Sequence, residues 1–158
     1  GLEEPVIAHT LVAQREGTRG FRAPEVLLGQ PLQGPPIDIW SAGVILLCLL
    51  TRRPTAFDAP SDMAALVEIC LMLGDEEVSR GSARLKRRVH LLGNGTPNAF
   101  RQAESLADLI DAAVAGKGPA AAPEEMAAFV GLLTECLHFH PGDRPTAHLA
   151  LHHASLRD

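Results

Sequence analysis

One segment of the chain is apolar on nearly every face of a helix, and it restricts the fold more than any other feature. Residues 37–51 read IDIWSAGVILLCLLT. A helix that is apolar all round belongs in the centre of a domain, with neighbours on all sides. The segment is too short to span a bilayer, and Asp38 lies within it. Arg52 and Arg53 follow, where the helix dipole favours cations. We therefore expect a buried central helix that organises the core.

The composition favours helices and argues against some classes of function. The 158 residues suffice for one domain with a hydrophobic core, and only 4% are aromatic while Ala and Leu are plentiful. The net charge of −5 argues against general nucleic-acid binding, which needs a basic surface. Three widely spaced cysteines are typical of buried, reduced thiols in an intracellular protein. We see no signal peptide and expect no membrane partner.

The rest of the chain predicts short helices joined by loops. Pro24 and Pro123 suit first helical positions, Ser61 suits an N-cap, and Gly74 suits a helix end. Residues 116–122 predict a flexible connector. We expect further helices over residues 24–28, 62–73, 83–90, 99–115, 123–137 and 145–156. The expected fold class is all-α, a helical bundle without repeats.

Three motifs occur in a fixed order. They are GTRGFRAPE at 17–25, DIWSAG at 38–43, and L-x-x-x-P-x-x-R-x-T-A at 137–147. Together they resemble the eukaryotic protein kinases: the substrate-facing end of the activation segment, the central helix of the large lobe, and that lobe's last helices. The resemblance implies the helical C-terminal lobe of a protein kinase-like fold, with the N-terminal β lobe absent from this chain. The chain starts with Gly1 rather than Met, which supports a fragment.

The resemblance also implies a division of the chain. Residues 1–23 would be the end of the activation segment and the substrate-binding loop. Residues 24–158 would be the remainder of the large lobe, with a poorly matched insert at 75–122. No Gly-rich loop adjoins a strand pattern, so we expect no ATP or Mg²⁺ to be bound by this fragment, although the complete kinase would use both. We place no catalytic residue in this chain and expect the fragment alone to be inactive.

The first motif carries the expected substrate-binding residues. By resemblance, the hydroxyl of Thr18 supports the missing catalytic loop, and a Thr at this position favours a serine/threonine kinase. Arg19 and Arg22 would flank the pocket for the residue that follows the phosphorylated one, with Arg53 near. Guanidinium groups there favour an acidic or phosphorylated neighbour. The alternative for these arginines is an ordinary solvated surface.

The other expected residues are structural anchors. Glu25 and Arg144 match the family's buried ion pair, in which a guanidinium holds a carboxylate through two parallel hydrogen bonds. Asp38 matches the residue that holds the catalytic-loop backbone; the compatible alternative is an acid favoured by the helix N-terminus. Trp40 is expected to pack in the core in either case.

Longer stretches of sequence around these motifs resemble one group of protein kinases in particular. GTRGFRAPEVLL, IDIWSAGVILLCLLTRR and SDMAALVEIC are similar to the DDK-type cell-division-cycle kinases that fire replication origins, closely over residues 17–73 and 132–153. That family implies a nuclear enzyme with an activating regulatory subunit. It also implies a protein substrate, replicative helicase-like, whose target Ser or Thr precedes an acidic or phosphorylated residue.

Other interpretations stay open. The chain could be a catalytically inactive kinase lobe that serves as a scaffold or partner-binding module, or an unrelated helical interaction domain. Residues 84–88 (RLKRR) fit either a nuclear-import patch or a solvated helix face. We expect no metal site, because no paired Cys-x-x-Cys accompanies Cys136 and the histidines near the end of the chain.

Overall fold

A computed structural model describes residues 18–89, 105–115 and 123–156. The described ranges contain α-helices and 3₁₀ turns but no strand, and the predicted all-α class is confirmed. The helices are α1 (Pro24–Leu27), α2 (Pro36–Thr51), α3 (Asp62–Leu73), α4 (Asp75–Arg84), α5 (Leu106–Ala115), α6 (Pro123–Cys136) and α7 (Ala147–Leu151). The 3₁₀ turns are Pro141–Asp143 and Ala154–Leu156.

Helix α2 organises the core, as its sequence predicts. Trp40, Val44 and Leu47 are buried, and the helix packs against α5 and α6. The approach to α6 is close because position 43 is glycine: a Cβ there would lie 2.8 Å from Cys136 Cβ and 2.9 Å from Leu137 Cδ2. The buried residues of this cluster are Ala23, Val26, Trp40, Val44, Leu47, Phe57, Ile69, Met72, Leu133 and Leu137.

One face of α2 departs from the expectation of neighbours on all sides. Ile45 and Leu49 are 51% and 67% exposed, and Asp38 and Ala42 are also exposed. The spacing of these four positions places them along one side of the helix. Within the described part of the chain no element covers that side, so the expectation is wrong there. We call Asp38, Ala42, Ile45 and Leu49 the open face of α2.

Helices α3 and α4 follow one another with a sharp change of direction at Gly74, whose φ is +83°. Ser61 caps α3, its Oγ accepting a hydrogen bond from the Ala64 N–H at 3.2 Å. Helix α4 covers Asp75–Arg84, so the predicted helix over 83–90 is wrong in position. Sequence reasoning missed the position of α4 because this helix is mostly polar and offers few apolar residues that could show a period. Position 81 of this helix favours glycine, because a Cβ there would lie 2.8 Å from Phe139 Cδ1.

The C-terminal helices are shorter than expected. Helix α7 begins after Thr146, whose hydroxyl accepts the Leu149 N–H at 3.2 Å, and it ends at Leu151. The predicted residues 99–104 of the α5 segment and the connector at 116–122 lie outside the described residues, as does residue 90 of the predicted 83–90 helix. No helix in the described ranges is long and apolar enough to cross a membrane.

Candidate functional site

The first motif forms a tight loop fixed against α2. The Phe21 N–H donates to the Thr18 carbonyl at 3.0 Å, and Gly20 between them has φ +87°. A Cβ on Gly20 would lie 3.0 Å from the Phe57 carbonyl oxygen, so the site favours glycine for space as well as for conformation. The Ser41 hydroxyl of α2 lies 3.1 Å from the Phe21 carbonyl oxygen. We call residues 18–23 the motif loop.

Directly after the motif loop, the structure brings Glu25 and Arg144 together. Arg144 Nη1 donates to Glu25 Oε1 at 2.7 Å and Nη2 donates to Oε2 at 2.8 Å, across 119 positions of sequence. The two side chains are 2% exposed or less. This is the two-pronged geometry in which a guanidinium fixes the orientation of a carboxylate as well as its distance.

Arg144 also uses its remaining donors. Its Nε donates to the His138 carbonyl at 2.9 Å, Nη1 to the Pro36 carbonyl at 2.9 Å, and Nη2 to the Phe139 carbonyl at 3.1 Å. With the two bonds to Glu25, all five N–H groups of the guanidinium have an acceptor. The guanidinium carbon lies 5.1 Å from the centroid of the buried Trp40 ring. One side chain therefore ties α1 to the start of α2 and to the segment after α6.

The arginines of the motif loop contact the region before α3. Arg22 Nη1 lies 2.9 Å from Asp62 Oδ1, and both side chains are largely buried. Arg19 is exposed, and its Nη1 donates to the Pro60 carbonyl at 3.3 Å. Arg53 is exposed just after α2, and its backbone N–H donates to the Cys48 carbonyl at 3.1 Å. The sequence did not predict that Asp62 pairs with Arg22, because the context of Asp62 indicates only an acid in the first turn of a helix.

Thr18 and Asp38 are both exposed. Neither the Thr18 hydroxyl nor the Asp38 carboxylate is hydrogen-bonded to another residue within the described ranges. Asp38 stands in the first turn of α2, at the head of the open face. The two residues expected to support a catalytic loop thus present their polar groups outward, and Gly17 of the motif lies outside the described residues.

A second polar cluster was not foreseen from sequence. Glu77 on α4 accepts the Phe139 N–H at 2.9 Å, lies 3.1 Å from His138 Nδ1, and pairs with Arg80. Burial would raise the pKa of Glu77, but the hydrogen bonds from Phe139, His138 and Arg80 outweigh it and lower the pKa below its usual value. Arg84 pairs with Asp143 on the same side of the molecule. No local pattern signals contacts between positions about sixty residues apart.

The cysteines offer no reactive thiol at the site. Burial, with a smaller effect of Asp75, raises the pKa of Cys70 to about 12, and burial with Glu135 raises that of Cys136 to about 11. Such thiols stay protonated, whereas the thiolate is both the nucleophile and the metal ligand. Within the described residues no group of three His, Cys, Asp or Glu side chains is placed to hold a metal ion.

The sequence of the chain is similar to those of known protein kinases. The family model described as protein kinase domain matches residues 1–156. The probable serine/threonine-protein kinase cdc7 of Dictyostelium discoideum is 37% identical over 150 residues, which are 91% of this chain and 13% of that protein. The cell cycle serine/threonine-protein kinase hsk1 of Schizosaccharomyces pombe is 52% identical over 71 residues, 45% of this chain and 14% of that protein. The cell division cycle 7-related protein kinase of Homo sapiens is 52% identical over 66 residues, 42% of this chain and 12% of that protein. The chain therefore spans only about an eighth of the length of these relatives.

Proposed function

This chain belongs to the protein kinase domain family, and we propose that it forms part of the large lobe of a serine/threonine kinase. The whole protein would transfer the γ-phosphoryl group of ATP to a Ser or Thr hydroxyl of a protein substrate. The relatives cdc7 and hsk1 are named as serine/threonine-protein kinases, which supports this activity. One observation carries it in the molecule itself: the buried Glu25–Arg144 pair anchors α1, and with it the end of the motif loop, to the body of the lobe.

The motif loop is the proposed substrate-binding surface. Thr18 would bond the catalytic loop, and Arg19, Arg22 and Arg53 would favour a target followed by an acidic or phosphorylated residue. Arg22 is paired with Asp62, so an incoming acid has to share its guanidinium. Among the described residues Arg19 donates to the Pro60 carbonyl and forms no ion pair, and it is exposed, which leaves its charge more available to a substrate. We therefore assign more of the preference to Arg19 than to Arg22.

The nucleotide is assigned to the rest of the kinase domain. In the complete kinase, Mg²⁺-bound ATP would supply the phosphoryl group and the metal would supply positive charge near the phosphates. The described residues hold no cluster that would ligate a metal, and they do not fit this group. Their proposed part is to seat the protein substrate and, through Thr18 and Asp38, to hold the catalytic loop.

The finer assignments follow the DDK-type resemblance. The proposed substrate is an acidic protein such as a replicative helicase, an activating regulatory subunit is the proposed partner, and the nucleus is the proposed location. The relatives named cdc7 and hsk1 are cell-cycle or cdc7-type kinases, which supports this direction. The alternative is an inactive scaffold, and the following experiment distinguishes it from an active kinase.

The test uses the whole protein that contains this chain. Its phosphorylation of matched peptides, Ser followed by Asp, phosphoserine or Ala, should be measured by kcat/KM. We expect a preference of about tenfold or more for Asp or phosphoserine over Ala, reduced by Arg19→Gln, since a charge-assisted hydrogen bond would be lost. An active enzyme indifferent to the following residue would remove the acidic preference. Absence of phosphoryl transfer with the regulatory subunit present would favour the scaffold.

A further inference from the structure

A cleft with three cations lies at the end of α4 and shares no residue with the motif loop. Its volume is about 480 Å³, within the range of binding sites for small ligands and side chains. Lys86, Arg87 and Arg88 supply the charge, and Ser79 and Ser82 line the same cleft from α4. We call these five residues the basic cleft. The chain as a whole carries a net charge of −5, so this concentration of cations is local.

The cations of the basic cleft are exposed and differ from their neighbours on α4. Arg80 pairs with Glu77, and Arg84 pairs with Asp143. Lys86, Arg87 and Arg88 form no ion pair with another residue in the described ranges. Unpaired like charges close together repel one another, so an anion that bridges them would be stabilised by all three.

The backbone holds these cations in place. Lys86 has φ +54°, a left-handed conformation that costs a non-glycine residue free energy. The Lys86 N–H donates to the Ala83 carbonyl at 3.0 Å and the Arg87 N–H to the Ser82 carbonyl at 3.0 Å, which closes the end of α4. Gln30 Nε2 donates to the Leu85 carbonyl at 2.9 Å and fixes this turn to the loop after α1. The charges are therefore presented on a fixed turn.

The chemistry of the basic cleft suits a phosphate group. Guanidinium groups bind phosphate through paired hydrogen bonds, an ammonium adds a point charge, and the exposed Ser79 hydroxyl adds a donor. The hydroxyl of the buried Ser82 already donates to the Ser79 carbonyl at 3.4 Å. An extended nucleic acid is a poorer match. Its binding relies on many phosphate contacts and on aromatic stacking, and no aromatic side chain lines the cleft.

We propose that the basic cleft binds a phosphorylated acidic segment of a partner protein, at a site separate from the motif loop. The residues that line the cleft lie between positions 79 and 89, and none of them belongs to the motif loop or to the small pocket that Gly20, Arg22 and Asp62 line. The cleft therefore offers a docking contact distinct from the residues proposed to face the phosphorylated hydroxyl, and it does not depend on phosphoryl transfer.

The experiment measures binding of a fluorescein-labelled synthetic peptide that alternates phosphoserine with Asp and Glu. Its control has Ser, Asn and Gln at those positions. By fluorescence anisotropy with the whole protein that contains this chain, we expect the phosphopeptide to bind about tenfold or more tightly than its control. Arg87→Gln/Arg88→Gln should weaken phosphopeptide binding by about tenfold, because the bridging guanidinium groups are lost.

Two comparison variants remove one cation each elsewhere. Arg52 lies at a turn with φ +55°, like that of Lys86, and does not line the cleft. Arg52→Gln should therefore change the Kd by less than about twofold, as expected for a solvent-screened charge outside the site. Because Arg19 belongs to the proposed substrate-binding surface, Arg19→Gln tests that surface, and we expect it to weaken binding of this peptide less than the double variant does. Loss of binding in Arg19→Gln, with full binding in the double variant, would assign the peptide to the motif loop and overturn the proposal.

A third variant separates binding from folding. Lys86→Gly removes a charge at a position where glycine suits the backbone, so the Tm should not fall while the affinity falls about threefold or more. Equal binding of the phosphorylated and neutral peptides would overturn the proposal. So would a short RNA that competes through the same residues more strongly than the phosphopeptide, which would instead indicate a nucleic-acid site.

Discussion

Arg144 shows how completely one side chain can be committed to holding a loop. Each of its five N–H groups has an acceptor, and those acceptors belong to Glu25, Pro36, His138 and Phe139. A lysine has three donors on a point charge and cannot reproduce a planar fork. The function of the residue is therefore positional: it acts on the motif loop through Glu25 and α1.

Replacing Arg144 by alanine should lower the free energy of unfolding by about 3–5 kcal/mol, because Glu25 is left as a buried, unpaired carboxylate. Urea denaturation followed by circular dichroism measures the change. Arg144→Lys should recover only part of the loss. The matched double variant, Glu25→Gln/Arg144→Met, removes both charges and should be less destabilised than Arg144→Ala. A change within experimental error for Arg144→Ala would contradict the assigned importance of the pair.

Glu77 makes stability depend on pH. Its pKa is lowered in the folded protein relative to the ordinary value of 4.5, because Phe139, His138 and Arg80 stabilise the carboxylate more than burial opposes it. A lowered folded-state pKa gives stability that is fully present above the unfolded-state pKa and is lost as pH falls through the folded-state pKa. The affected window therefore lies at and below about pH 4.5.

The corresponding prediction compares the wild type with Glu77→Gln. At neutral pH the variant should be less stable by about 1–2 kcal/mol, since hydrogen bonds to a charged group are replaced by bonds to a neutral amide. The difference should shrink as pH falls below the ordinary carboxyl pKa of 4.5 and through the lowered pKa of the folded state. Urea denaturation curves across this range provide the measurement, with Glu76→Gln, an exposed neighbour on α4, as the control. A constant difference at every pH would exclude the ionised carboxylate as its source.

At the scale of elements, two helix glycines in contrasting surroundings show what a Cβ costs. A Cβ on Gly43 of α2 would lie less than 3 Å from Cys136 at the end of α6 and from Leu137 just after it, whereas a Cβ on Gly131 of α6 would meet nothing closer than 3.9 Å. Alanine is the better helix former at both positions. Packing therefore decides the sign of the substitution at Gly43, and propensity decides it at Gly131.

We predict that Gly43→Ala lowers the free energy of unfolding by about 1–3 kcal/mol, because α2 and α6 must separate. Gly131→Ala should raise it by about 0.5–1 kcal/mol. Chemical denaturation of both variants tests the pair under one set of conditions. If Gly43→Ala were as stable as Gly131→Ala, the close approach of α2 and α6 would have little energetic weight.

The sequence predicted those helices that have a strong local signal, such as an apolar run or a capping residue. Residues 37–51 were expected to be helical and α2 begins one position earlier, while Ser61 and Gly74 delimit α3 as expected. The position of helix α4 was predicted wrongly because its sequence is mostly polar and contains Gly81. Glycine at position 81 is explained by the contact with Phe139, which leaves no room for a Cβ. The Glu25–Arg144 pairing was expected only from a family motif. The contacts of Arg22 with Asp62, and of Glu77 with Phe139, depend on packing between distant segments that no local pattern encodes.

At the scale of the whole molecule, the open face of α2 is the clearest departure from a self-contained fold. Ile45 and Leu49 are exposed on the same helix that buries Leu47 to 1% exposure. Single exposed apolar residues are common, but here they share one side with Asp38, the residue proposed to hold the catalytic loop. Because the chain spans about an eighth of the length of its relatives, the remainder of the kinase domain is the proposed cover for this face.

Two leucines of α2 allow a direct test of that cover. In the 158-residue chain, Leu47→Ala should lower the free energy of unfolding by about 2–5 kcal/mol, whereas Leu49→Ala should change it by less than about 0.5 kcal/mol. In the whole protein, Leu49→Ala should become costly as well, by about 2 kcal/mol or more, because its side chain would then be buried. Denaturation of both proteins measures the four values. A Leu49→Ala effect that stays small in the whole protein would mean that the rest of the domain packs elsewhere, and Asp38 would lose its proposed role as an anchor of the catalytic loop.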